Sequence, residues 1–106
     1  MRDFVHVDDV AAANLAAASS LAERDGFTAV NVCSGQPISI LEVATALCDA
    51  RGGTNGTVSP VITGQYRSGD VRHIVADPTR AAEVLGFRAA VDPREGLREF
   101  AFAPLR

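Results

Sequence analysis

The sequence predicts an α/β fold, because short β-type runs alternate along it with segments that have helical composition and helix-capping signals. The runs are rich in valine and bounded by glycine, proline or aspartate, and each helical segment starts at an aspartate, a serine or an Asp-Pro pair. The 106 residues are 47% hydrophobic and 22% charged, which fits one folded domain over residues 1–106 and excludes intrinsic disorder. We expect about four strands and four helices in it.

The first half of the chain has the pattern strand, helix, strand. A β-type run over residues 4–7 precedes Asp8 and Asp9, either of which can cap a helix that continues to about Arg24. Alanine is the commonest residue of this helix. Because alanine favours helical backbone but buries little area, we expect the helix to lie against a partner surface. A turn then leads into a second strand over residues 27–32.

Capping signals define the other helices. Ser39 and Glu42 form the S-x-x-E capping box of a second helix, which Gly52 ends. The remaining elements are a strand near residues 58–63, an extended run at 74–75, a helix from Asp77-Pro78 to Gly86 and a last helix from Asp92-Pro93 onward. The alternation suggests βαβ units of a parallel sheet, which needs more strands than these and cover on both faces.

The charged residues limit the kinds of function. All ten basic residues are arginine, so Schiff-base chemistry, a phosphate-loop lysine and a Tyr-x-x-x-Lys proton relay are excluded within this chain. Thirteen acidic residues are interleaved with the arginines and the net charge is -3, so no basic stripe forms and nucleic acid is not an expected partner. No run of ~18 apolar residues occurs, so no membrane span is predicted.

The two cysteines indicate a reducing compartment rather than a metal site. Cys33 and Cys48 lie in apolar runs, without CxxC or Cys/His spacing. We therefore expect two buried thiols, no bound metal and, because the sequence shows no secretory leader, a cytoplasmic location.

The segment from Tyr66 to Arg72 is the richest candidate for chemistry. It places Arg67, Asp70 and Arg72 on a glycine-containing connection. A planar guanidinium can bind a diphosphate in bidentate fashion, and a carboxylate can accept hydrogen bonds from sugar hydroxyls. A solvated loop with surface ion pairs is the alternative interpretation.

The remaining candidates for a functional site are weaker. Gly53-x-x-Gly56 follows a helix and precedes a strand, whereas a dinucleotide-binding glycine loop requires the reverse order. His6 and His73 have no nucleophile with an orienting partner near them in sequence, so we expect structural or surface roles.

Four motifs, in order, resemble a known family. They are RDFVHVDDVA, FTAVNVCSGQPISILEVA, RSGDVRHIVADPTRAAEVLGF and a final EGL-containing helix. Their order and spacing are similar to the C-terminal portion of the extended short-chain dehydrogenases/reductases, the NAD-dependent nucleotide-sugar epimerases and dehydratases. The third block, preceded by GQY, and the closing EFAFAPLR most resemble 4-epimerases of dTDP- or UDP-linked hexoses, whereas NVCSG is also similar to GDP-mannose dehydratases.

The resemblance implies three substrate-binding residues. Arg67 and Asp70 match the family's Arg-x-Gly-Asp motif, in which the arginine binds a phosphate of the nucleotide diphosphate and the acid contacts the ribose. Arg2 and Asp3 match its RDF/RDY start, which implies a structural tie and, for Arg2, a wall of the substrate cleft. No catalytic, cofactor-binding or metal-binding residue is implied in this chain.

The resemblance also implies what is missing. Relatives carry a glycine-rich dinucleotide loop and a Tyr-x-x-x-Lys pair, but Tyr66, the only tyrosine here, is followed at the fourth position by Asp70. The implied fold is the C-terminal fragment of an extended Rossmann-type epimerase. It would contain the last strand-helix units and a small substrate-binding α/β lobe, without the cofactor-binding Rossmann half.

The implied function is to bind a nucleotide-diphosphate sugar for an NAD-dependent 4-epimerase, with no catalysis by this chain alone. NAD would serve the full-length relative and would not bind here. The implied protein partner is a cofactor-binding N-terminal half or a second copy in a homodimer. A 4,6-dehydratase portion and a non-enzymatic interaction module are the alternatives, and an exposed alanine face on residues 8–24 would favour docking or dimerisation over independence.

Overall fold

Four helices make up the regular structure of the chain, which a computed structural model describes over residues 1–20, 26–52 and 58–104. The helices are α1 Val7–Ser20, α2 Ile40–Gly52, α3 Thr79–Leu85 and α4 Pro93–Phe102. They confirm the four predicted helices. The predicted end of the first helix near Arg24 and the Gly53-x-x-Gly56 loop lie outside the described residues.

The predicted start of α2 is confirmed atom by atom. The Ser39 amide donates to Glu42 Oε2 at 2.8 Å, and the Glu42 amide donates to Ser39 Oγ at 3.1 Å. This reciprocal pair is the capping box that the S-x-x-E spacing predicts.

The predicted boundaries of α3 and α4 are confirmed in the same way. Asp92 accepts from the Arg94 amide at 2.9 Å ahead of α4, and Asp77 accepts from the Thr79 amide at 2.9 Å ahead of α3. Gly86 ends α3 with a φ of 64°, the left-handed conformation that glycine adopts without strain.

The predicted strands are not formed by the described residues. Segments 4–7, 27–32, 58–63 and 74–75 contain no ladder, and pairing is limited to isolated bridges from Arg2, antiparallel to Ile38 and parallel to Ile74. A strand requires a hydrogen-bonding partner alongside it, whereas β-type composition reports only burial and side-chain shape. The described part of the chain supplies such a partner at Arg2 alone.

The helices pack as two separate pairs. α1 contacts α3, and α2 contacts α4. The buried cluster between α1 and α3 consists of Ala13, Ala81 and Phe87, with Val30 and Val32 packed against it. The radius of gyration is 17.0 Å, against about 13 Å for a compact chain of this length. The molecule, 54 × 32 × 24 Å, is therefore elongated and thinly packed.

Asp9 joins the two ends of the chain. Its side chain is buried, with 4% of the residue exposed, and its carboxylate accepts from the Ala90 amide at 2.9 Å and the Val91 amide at 3.1 Å. The sequence predicts only a helix-capping role for this residue. In the structure it fixes the segment that leads into α4 against the start of α1.

Candidate functional site

Arg67 and Asp70 lie at the two ends of one tight turn. The Asp70 amide donates to the Arg67 carbonyl at 3.2 Å, and Gly69 has a φ of 90°, as the third residue of a type II turn requires. Both side chains are exposed and form no hydrogen bond or ion pair with the described part of the chain. The turn thus presents both a guanidinium and a carboxylate to solvent.

Arg2 anchors the chain directly after this turn. Its guanidinium donates to the Val71 carbonyl at 2.7 Å, the Arg72 carbonyl at 3.2 Å and the Met1 carbonyl at 3.1 Å. All three acceptors are neutral, and within the described ranges no carboxylate lies at ion-pair distance from Arg2. No carboxylate of the described residues therefore neutralises its positive charge, which adds to the potential beside the turn.

Asp3 fixes the neighbouring loop, as the resemblance implies. Its Oδ1 accepts from the Ser34 amide at 2.8 Å and the Ser34 hydroxyl at 2.6 Å, and its Oδ2 accepts from the Gly35 amide at 3.0 Å. Gly35 has a φ of 73°, and a Cβ there would lie 3.2 Å from Pro78 Cγ. Glycine is thus required by both conformation and space.

The two cysteines differ in environment. Both are free thiols; Cys33 is buried and Cys48 is half-buried. Burial, followed by the nearby negative charge of Asp3, raises the pKa of the Cys33 thiol, so it stays protonated at neutral pH.

His6 and His73 lie in different environments. His6 Nδ1 lies 3.7 Å from Asp8 Oδ2, and Nε2 lies 3.8 Å from Glu99 Oε2. A Cβ on Gly96 would lie 3.2 Å from the His6 ring, so the ring packs closely against α4. His73 is exposed. These positions agree with the structural or surface roles predicted for both histidines.

Two grooves lie beside α4, and the sequence predicts neither of them. An apolar groove of about 670 Å³ lies between residues 4–7, α2 and α4, and a second groove of about 550 Å³, lined by both charged and apolar side chains, lies between α2 and α4. In this second groove Arg94 donates to Glu42 Oε1 at 2.9 Å. No sequence signal joins residues 52 positions apart, so these grooves follow only from the packing of α2 on α4.

The described residues do not fit a dinucleotide cofactor. A pyrophosphate binds at a helix start whose amides are open and whose local charge is positive. Here the first turns of α1 and α2 carry acidic side chains, and α3 and α4 are preceded by Asp77 and Asp92, which accept from their first amides. Each described helix start would therefore repel a pyrophosphate rather than hold one.

We expect NAD to leave the thermal stability of the chain unchanged. A ligand that binds the folded state raises the melting temperature, and the described helix starts offer no site for the dinucleotide. Thermal denaturation with and without about 1 mM NAD tests this, with a full-length epimerase relative as the positive control. A clear, saturable rise in melting temperature would show that a cofactor site is present.

The Glu42 cap predicts a specific acid sensitivity. Hydrogen bonds from the Ser39 amide and hydroxyl, with a further one from Arg94, lower the pKa of Glu42 below its usual 4.5. A carboxylate with a lowered folded-state pKa contributes stability that is present above the unfolded value and lost as pH falls through the folded value. We expect helicity measured by circular dichroism to decline below about pH 4.5, and less steeply in Glu42→Gln. Glu83→Gln, a change at an exposed residue of α3, should keep the wild-type profile.

Comparisons with known proteins identify the class. A UDP-glucose 4-epimerase from Dictyostelium discoideum is 37% identical over 90 residues, which are 84% of this chain and 25% of that protein. A dTDP-L-rhamnose 4-epimerase from Burkholderia thailandensis is 33% identical over 98 residues, 92% of this chain and 25% of that protein. A UDP-glucose 4-epimerase from Erwinia amylovora is 34% identical over 100 residues, 93% of this chain and 28% of that protein. The chain is therefore a homologue of the NAD-dependent nucleotide-sugar epimerases and matches their C-terminal regions.

The relatives named here are 4-epimerases, which confirms the resemblance drawn from the four motifs. The chain spans about a quarter of the length of the curated relatives it matches. No family model and no solved structure matches the sequence. Over the described ranges, no helix is long and apolar enough to cross a membrane, and no three potential metal ligands converge.

Proposed function

We propose that this chain is the nucleotide-sugar-binding portion of an NAD-dependent nucleotide-sugar 4-epimerase. The observation that carries the proposal is the exposed Arg67–Asp70 turn, anchored by Arg2, in a homologue of these enzymes. Arg67 would bind the diphosphate, Asp70 would accept hydrogen bonds from ribose hydroxyls, and Arg2 would form a wall of the cleft. All three residues are the ones that the sequence predicts.

The chemistry of the turn suits this role. A guanidinium presents a planar fork of donors that matches two phosphate oxygens, and its charge persists at every physiological pH. Arg2 donates to backbone carbonyls, and no carboxylate of the described residues neutralises its charge, so this charge supports binding of an anion. Asp70 repels phosphate but accepts from hydroxyls, so the turn would orient the ligand with its sugar at one end.

Catalysis is assigned to residues outside this chain. The sequence has no lysine, and Tyr66 is 90% exposed with no basic side chain at the fourth following position. The chain's own part is therefore to bind and orient the nucleotide sugar, and NAD would be held by the rest of a full-length enzyme. We further propose that the protein is located in the cytoplasm.

Titration calorimetry with UDP-, dTDP- and GDP-linked sugars tests the binding role. We expect weak, saturable binding to the 106-residue chain, with Kd on the order of 0.1–1 mM, and no turnover when NAD is added. Absence of binding to any of these ligands would contradict the proposed role. Epimerisation by the purified chain with NAD would contradict the assignment of catalysis elsewhere.

One observation also favours an interaction module as the second candidate. On α1, Ala11, Ala12, Ala18 and Leu15 are exposed, and 70% of Leu15 is accessible, whereas Ala13 is buried against α3. An exposed apolar face favours a chain that docks onto another protein surface over one that functions alone. A non-enzymatic module would dock in this way but would not bind nucleotide sugars, so the same calorimetry separates the two candidates. The choice between an epimerase and a 4,6-dehydratase portion depends on activity in the full-length protein.

A further inference from the structure

The contacts between α2 and α4 show that these two helices run in the same general direction. Near their starts, Arg94 of α4 donates to Glu42 Oε1 of α2 at 2.9 Å. Near their ends, the Arg51 guanidinium of α2 lies 5.4 Å from the centre of the Phe102 ring of α4. The second groove lies between these contacts and has a volume of about 550 Å³, which is within the range of small-molecule sites in proteins.

Much of the wall of this groove is apolar and open to solvent. Its apolar side chains are Leu41, Ala46, Ala50 and Phe102. Leu41 is 48% exposed and Phe102 is 65% exposed, so a ligand in the groove would remove apolar surface from water. Burial of apolar area would thus contribute to the affinity for a ligand that has an apolar part.

Two charged side chains of the groove are not neutralised by the described residues. Arg98 of α4 and Asp49 of α2 are exposed, and neither forms a hydrogen bond or ion pair with the described part of the chain. Glu42 and Arg94, in contrast, neutralise each other. The groove therefore has one positive and one negative charge, on different helices, that are available to a ligand.

The two available charges are offset along the helices. Because Glu42 and Arg94 lie side by side, Arg98, four residues after Arg94, is level with Ala46 of α2. Asp49 follows Ala46 by three residues, which is roughly 4.5 Å along the helix axis. The positive charge thus lies towards the helix starts and the negative charge towards the helix ends. The dipoles of two parallel helices have the same order, so they support this polarity.

We propose that the second groove binds a small zwitterion of the α-amino-acid class with an apolar side chain. Its carboxylate pairs with Arg98, whose guanidinium matches two carboxylate oxygens, and its ammonium donates to Asp49. Its apolar side chain covers the apolar wall. A simple anion would be repelled by Asp49, and a simple cation would be repelled by Arg98, whereas a zwitterion satisfies both.

NMR titration of the 106-residue chain with L-phenylalanine tests this proposal. We expect saturable chemical-shift changes at the amides of α2 and α4, with a Kd on the order of 1 mM. Two matched compounds are titrated at the same ionic strength: phenylpropionate lacks the ammonium, and phenylethylamine lacks the carboxylate. Each should bind about tenfold or more weakly, because it leaves one charge of the groove unpaired and repelled by the other end of the ligand's site.

Variants assign the two charges. Asp49→Asn should weaken binding of L-phenylalanine by about tenfold without weakening that of phenylpropionate. Arg98→Gln should weaken binding of L-phenylalanine to a similar extent without weakening that of phenylethylamine. Glu83→Gln and Arg88→Gln remove the same charges from exposed residues outside the groove and should keep the wild-type affinity. Circular dichroism checks that all four variants keep the helices.

Three results would each overturn the proposal. They are the absence of saturable shift changes at α2 and α4, equal affinity for L-phenylalanine and phenylpropionate, and unchanged affinity for L-phenylalanine in Asp49→Asn or Arg98→Gln. No residue that lines the groove belongs to the Arg67–Asp70 turn, so Arg67→Ala should bind L-phenylalanine as the wild type does. Failure at this groove is therefore distinguishable from failure of nucleotide-sugar binding at the turn.

Discussion

Replacing Arg67 by alanine lowers affinity for nucleotide-diphosphate sugars by about 10- to 100-fold. A hydrogen-bonded contact to a charged group contributes about 1.5–3 kcal/mol, and each 1.4 kcal/mol is tenfold in Kd. Because the Arg67 side chain is exposed and forms no hydrogen bond or ion pair with the described residues, its removal leaves the fold intact. Calorimetry with UDP-glucose and dTDP-glucose measures the loss. If the 106-residue chain binds too weakly, the same substitution is measured in a longer protein that contains this sequence.

Arg88→Ala is the matched control. Arg88 is an exposed arginine whose side chain forms no hydrogen bond or ion pair with the described residues, and it lies outside the turn. The control removes the same charge, so a general electrostatic effect would lower affinity equally in both variants. Equal affinities of Arg67→Ala and the wild type, with the circular dichroism unchanged, would remove Arg67 from the site.

Replacing Asp9 by alanine destabilises the chain by about 2–4 kcal/mol. The change removes a buried carboxylate and leaves the Ala90 and Val91 amides without their acceptors. For a chain of this size, such a loss lowers the melting temperature by about 10 °C or more. Thermal and urea unfolding followed by circular dichroism measure the effect.

Two further substitutions serve as controls for Asp9→Ala. Asp8→Ala, at a side chain that is 83% exposed, should change stability by no more than about 0.5 kcal/mol. Asp9→Asn keeps one oxygen acceptor and should lie between the wild type and Asp9→Ala. If Asp9→Ala is no less stable than Asp8→Ala, the contact between α1 and the segment before α4 does not stabilise the fold.

Helix boundaries were predictable because their causes are local. The Ser39–Glu42 capping box, the Asp92 cap and the glycine that ends α3 each involve groups within a few residues of one another. Such contacts form whenever the backbone turns into a helix, whatever the rest of the molecule does. The Arg67–Asp70 turn also has a local cause, because Gly69 adopts the positive φ that the third residue of this turn requires.

The contacts that organise the site were not predictable from spacing. Arg2 reaches carbonyls about 70 residues away in the chain, and Asp9 reaches amides more than 80 residues away. Sequence indicated Arg2 as part of the site only through resemblance to a family. Its carbonyl contacts, and the two grooves beside α4, depend on how distant segments pack.

Local chemistry thus settled which segments become helices, where they begin and end, and which charged residues stand on the exposed turn. Strand formation depends instead on contacts between different segments of the chain. Residues 27–32 have the composition of a strand, yet they form no ladder with the described part of the chain, because strand hydrogen bonds form between segments rather than inside one. A helix satisfies its own backbone and can be predicted from its residues, whereas a sheet depends on which other segments lie beside it.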